Sequence, residues 1–130
     1  MTLNEIKSKK EVVFGDLANY PKMWFLGAFN PAIINTNDFE AAIFDIKKNH
    51  ESDLHWHEKA TELNLVISGE CLVTSNGVKT RLKSGGIFIF PPKVKTCVKY
   101  TKDTKLLVIK FPSIPFGDKF YDKPKEDDEG

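Results

Sequence analysis

Two cysteines in 130 residues, Cys71 and Cys97, are too few for a disulfide framework and point to a reducing compartment. Charge of a single sign is missing as well. The formal net charge is +1, which predicts neither nucleic-acid binding nor attraction to a membrane surface. No apolar run reaches the length of a membrane span. The N-terminal stretch MTLNEIKSKKEVVF has lysines but no apolar core and no small-residue cleavage site, so it does not read as a secretory signal. These absences together make the cytoplasm the expected location. Histidine is scarce too: there are three, and two of them stand one residue apart.

What is present is a globular composition, 41% hydrophobic and 28% charged, in a length that suits one domain with a real core. Most of the chain reads as short strands. WFLGAF (24–29), FEAAIFDIK (39–47), ELNLVIS (62–68), ECLVTS (70–75), VKTRL (78–82), GIFIF (86–90), VKTCVKY (94–100) and TKLLVIKF (104–111) are rich in β-branched and aromatic residues. Gly, Pro, Asn or Asp bound most of them. Asn76-Gly77 is a two-residue hairpin signal, because both residues tolerate positive φ. Lys102-Asp103 opens a second tight turn, and one short helix is expected near residues 16–20. Strands at this spacing predict an all-β, single-domain antiparallel barrel or jelly roll over residues 1–121, followed by a charged, mobile tail over 122–130.

Residues two apart on a strand point to the same face, so His55 and His57 can approach one metal ion together. Glu62 opens the next strand and reaches the same side if residues 58–61 form the turn. Two imidazoles and a carboxylate suit a divalent transition metal (Zn, Fe, Mn or Ni) and leave coordination positions open. The three side chains are therefore expected to converge on a shared ion.

The pattern His55-x-His57, four residues, Glu62, six residues, Gly69 resembles the first conserved motif of the cupin superfamily at each of those positions. The family usually starts this motif with glycine six residues before the first histidine, where this chain has Asn49, another residue that turns readily. The segment from Gly85 to Pro92 resembles the second motif, but Lys93 stands at the family's turn glycine and Thr96 at its third histidine. The resemblance covers about residues 48–111 and implies a small cupin barrel without the fourth ligand, and therefore a weakly held ion. Cys97 does not replace it. Val94, Thr96, Val98 and Tyr100 share one face and Lys93, Lys95, Cys97 and Lys99 the other, which sends the thiol outward.

His50 lies in the polar loop NHESD and reads as solvated. The lysines after Pro92 read as a charged edge that protects an exposed strand, and Cys71 as a small buried hydrophobe. Asn64, Thr96 and Tyr100 are the candidate ligand-binding residues, with Phe44 and Phe90 as further wall residues. Glu62 is the expected inner carboxylate, with Asp45 as the other candidate. If Glu62 faces inward, Leu63, Leu65 and Ile67 face outward and need cover. Either the aromatic N-terminal segment supplies that cover, or two subunits pack these faces together, as the dimers common among cupins would; a homodimer is favoured.

Three functions fit the resemblance, since this fold hosts many. The first is a metal-binding cupin that takes a small polar ligand, a sugar or carboxylate, into the barrel mouth. The second is a metal-dependent enzyme, either a non-haem oxygenase or a sugar isomerase or epimerase. The third is a metal-free regulatory or structural cupin.

Overall fold

Asn76 and Gly77 both take left-handed backbone, with φ of 51° and 75°, and close the hairpin that their sequence foretells. The strands they join belong to a computed structural model that describes residues 1–122. Of the expected tail, Asp122 is described and pairs with Lys95 at 2.7 Å; residues 123–130 lie outside the described residues. In chain order, a helix α1 (Leu3–Lys7) precedes β1 (Trp24–Gly27), β2 (Ile34–Asn35), β3 (Glu40–Ile46) and β4 (His55–His57). There follow β5 (Thr61–Ser68), β6 (Glu70–Ser75), β7 (Val78–Lys83), β8 (Ile87–Phe90), β9 (Thr96–Tyr100), β10 (Thr104–Phe111) and β11 (Lys119–Tyr121).

The strands form two sheets, ordered β2-β1-β3-β10-β5-β8 and β11-β4-β9-β6-β7. Every expected strand is found, and among the described residues all pairings between these strands are antiparallel except one: β1 and β2 run parallel, Leu26 opposite Ile34. The helix expected near residues 16–20 is a single 3-10 turn, Leu17–Asn19, whose N-cap Asp16 accepts the Ala18 N–H at 2.9 Å. Alternation fills the space between the sheets. Val66, Cys71, Val73, Phe90, Val98, Tyr100, Leu106 and Val108 form the buried cluster, with Phe44 and Trp24 packed against it. In β9, Thr96, Val98 and Tyr100 are buried while Lys99 is exposed, the register that alternation predicts.

Two backbone features hold the motif segments. Gly69 turns β5 into β6 at φ 103°, and a Cβ there would collide with the Asp103 carbonyl oxygen and the Thr104 hydroxyl. Only glycine suits that corner. Just before it β5 carries a bulge: Lys105 pairs with Ser68 and Leu106 with Val66, so Ile67 is an extra residue. Asn49 and Lys93, which stand where the family has glycine, both adopt left-handed backbone, at φ 75° and 71°.

A lysine in that conformation is strained, yet its N–H donates to the His57 carbonyl at 2.7 Å and ties the turn after Pro92 to β4. The Lys93 ammonium lies 3.8 Å from Glu58, an exposed pair of small worth. Lys93→Gly should keep the turn and relieve the strain, raising stability by about 0.5–1 kcal/mol. Thermal unfolding checks this; a lowered melting temperature would mean that the side chain matters more than its backbone.

Candidate metal centre and ligand cavity

β4 is only three residues long, and its pattern puts His55 and His57 inward with Trp56 half-buried on the other side. β5 does the same for Glu62, Asn64 and Val66. The turn between them is set by Asp118, 4% exposed, whose two carboxylate oxygens accept the Lys59 and Ala60 N–H groups at 2.8 and 3.0 Å. Asp118 therefore fixes how β4 and β5 face each other, and with them His57 and Glu62.

His55, His57, Glu62, Asn64 and Tyr100 all line one cavity of about 260 Å³, walled also by Phe44 and Phe90. Thr96 does not line it. It sits directly opposite His55 across the β4–β9 pairing and is 1% exposed, so it has no surface left for a ligand. His50 is exposed, as expected for its loop, but its ring lies 6.1 Å from that of Tyr100 and borders the cavity mouth. Asp45 points outward toward Lys105 at 4.0 Å. The inward carboxylate of β3 is Glu40 instead.

The donor set is chemically ready for a metal. His55 Nδ1 lies 2.8 Å from the Asp53 carbonyl oxygen, which can only accept, so Nδ1 carries the proton and Nε2 keeps its lone pair. His57 Nε2 is buried with no hydrogen-bond partner. Asn64 donates to Glu62 Oε2 at 3.2 Å and holds that carboxylate in place. Burial lowers both imidazoles below their ordinary range, His57 to about 4, with Lys110 and Lys119 adding to the effect and Glu62 opposing it. Both rings are thus neutral at pH 7, the form that binds metal.

The arrangement is looser than the expected convergence. His57 Nε2 and Glu62 Oε1 are 4.0 Å apart, whereas adjacent donors on one ion stand about 3.0–3.4 Å apart given ordinary bond lengths. Among the described residues, no three His, Cys, Asp or Glu side chains are closed into a metal cluster. The histidines fit a divalent ion in kind and in protonation and the carboxylate fits it in kind, and the set is held open.

Several residues of the site were not foreseen from the sequence. Trp24, Lys110 and Lys119 line this cavity and also a second one of about 530 Å³, with His57 on the shared wall. Glu40 lines the second cavity. It is 2% exposed, its Oε1 has no hydrogen-bond partner, and burial raises its carboxyl above the ordinary range against the pull of Lys110. Alternation along β3 and β10 carries the signal for both Glu40 and Lys110.

Two facing, largely antiparallel sheets with inward histidines at one end define a jelly-roll barrel of the small cupin type. Residues 42–110 match the cupin domain family, and the chain belongs to it. Several solved structures share the fold. KdgF from Halomonas sp. is 22% identical, with 61% of this chain and 74% of that one covered, at a TM-score of 0.58. An uncharacterized conserved protein with a double-stranded beta-helix domain from Klebsiella pneumoniae is 23% identical over 68% and 74%, at 0.61. The DMSP lyase DddQ from Ruegeria pomeroyi is 12% identical over 80% and 52%, at 0.65. At these identities the likeness shows the fold alone. No curated protein matches the chain. Among the described residues no helix is long and apolar enough to cross a membrane.

Proposed function

We propose that this protein is a metal-binding cupin that takes a small polar ligand, a sugar or carboxylate, into the barrel mouth. His55, His57 and Glu62 would hold a divalent transition metal, and Asn64 would position Glu62. The buried, unpartnered Nε2 of His57 carries the reading, because a polar atom left so costs about 1–3 kcal/mol unless something binds it. A bound ion would supply a Lewis acid with open positions, able to polarise a carbonyl or hydroxyl. Calorimetric titration of the metal-free protein with zinc and manganese tests this. Absence of saturable binding to either, at neutral pH, would leave the metal-free reading in its place.

Glu40 favours the enzymatic alternative. From the sequence, an oxygenase, isomerase or epimerase lacks a second acid or base near the site. A buried carboxyl with a free oxygen, in a cavity that shares His57, supplies a candidate.

The outer face of β5 supports a homodimer. Ile43, Leu107, Leu65 and Ile87 stand in one cross-strand row, and Ile109, Leu63 and Ile89 in the next. Ile67, Ile87 and Ile89 are 42%, 58% and 54% exposed. Three of the N-terminal aromatics do not supply the cover: Trp24 and Phe29 line cavities, and Phe14 is 87% exposed. We expect light scattering to give twice the chain mass at micromolar concentration, and Ile89→Glu to give a folded monomer. A monomeric wild type would sink the dimer.

A further inference from the structure

One row of residues links the two cavities. Lys110 on β10 pairs with Glu40 on β3 and with Glu62 on β5, and all three line the cavities. Lys110 thus stands between the metal donor set and the buried Glu40, about 5 Å from each neighbour at the Cβ level. Its ammonium lies 5.0 Å from the centre of the Trp24 ring, and no ion pair within 4.0 Å engages it among the described residues. Lys110 is half-buried, and with no close carboxylate its ammonium is left available to an anionic ligand in either cavity.

The larger cavity's lining carries more positive than negative side chains. Lys22, Lys110 and Lys119 line the larger cavity, against Glu40 and Asp118. Asp118 has both oxygens committed to the 59–60 turn. Glu40 is the lining carboxyl with an oxygen that makes no hydrogen bond. Trp24, Phe29 and Phe116 supply apolar walls.

We propose that the larger cavity recognises a small hydroxycarboxylate, with its carboxylate on Lys110, a hydroxyl turned toward the Glu40 carboxyl group on the cavity wall and its carbon skeleton against Trp24. The proposal deepens the ligand-binding reading above and rests on that part of it. Since Lys110 borders both cavities, a ligand anchored there lies beside His57 and Glu62. A neutral sugar would leave the ammonium unused, and an apolar acid would leave Glu40 without a partner.

Calorimetry with three matched pairs tests it: glycerate and glycerol, gluconate and sorbitol, mandelate and 1-phenyl-1,2-ethanediol. At least one acid should bind the wild type tenfold or more tightly than its neutral partner. Lys110→Met keeps the aliphatic stem and should abolish that preference; Lys110→Gln serves if the methionine variant does not melt cooperatively. If no acid outbinds its neutral partner, or if the variant keeps the preference, the proposal fails. Zinc titration of the wild type reads the His55, His57 and Glu62 assignment separately. Loss of that assignment with acid preference intact would leave Lys110 standing, and the reverse result would leave the metal site standing.

Discussion

Replacing His57 with alanine should lower zinc affinity at least a hundredfold. A structural zinc site is worth about 10–16 kcal/mol, so one ligand in three or four carries roughly 3–4 kcal/mol, or two to three decades. His57 is the better of the two histidines to remove, because its Nε2 has no other partner, whereas His55 also supports the Asp53 carbonyl. Cys97→Ala is the control. Cys97 alternates with the buried Thr96 and Val98 and lines neither cavity, so zinc affinity should stay within about twofold. Titration of both variants settles the ligand set. The opposite outcome, with Cys97→Ala losing zinc and His57→Ala keeping it, would mean that the thiol is a ligand and the β9 register is wrong.

The metal-free protein should lose stability steeply between pH 6.5 and pH 4. Burial holds His57 at about 4 in the folded chain, against an ordinary value of 6.5. Below 6.5 the unfolded chain takes up a proton that the folded chain refuses, so stability falls as pH falls. The slope from His57 is about 1.4 kcal/mol per pH unit, about 3 kcal/mol across the window. His55 is shifted the same way by the same cause. Denaturant unfolding at pH 7.0, 5.5 and 4.5 measures the slope, and the difference between wild type and His57→Gln isolates this imidazole from the carboxylates. Equal slopes would show that His57 titrates normally. The same shift means that metal occupancy should persist below the ordinary histidine range and fall away only as pH approaches 4.

The barrel was legible because its signals are local. Asn76-Gly77, the alternation in β5 and β9, and the spacing from His55 to Gly69 each depend on a few neighbouring residues. Glu40 and Lys110 were equally available: Phe44 read as a wall residue places Glu40 on the same face, and Leu106 and Val108 do the same for Lys110. Neither stands out as a site residue, because a charged side chain on an inward face contradicts the usual burial preference. Other features had no local signal. β11 exists through its pairing with β4, Tyr121 opposite His55. The open 4.0 Å spacing of His57 and Glu62 follows from a turn that Asp118 holds from 58 residues away. No run of adjacent residues records either.

The bulge at Ile67 divides β5 into two lengths that differ in their tolerance of insertion and deletion. Ahead of it, between Thr61 and Val66, each added or lost residue inverts the order of faces. Glu62 would then exchange places with the apolar outer row, and both the donor set and the apolar outer face would be lost in one step. At the bulge itself the ladder already accommodates an unpaired residue, so a further one lengthens an irregularity and leaves the phase upstream unchanged. Natural relatives and engineered variants should therefore differ in length at residues 67–68 far more freely than at 62–66, where the spacing acts as a reading frame for the site.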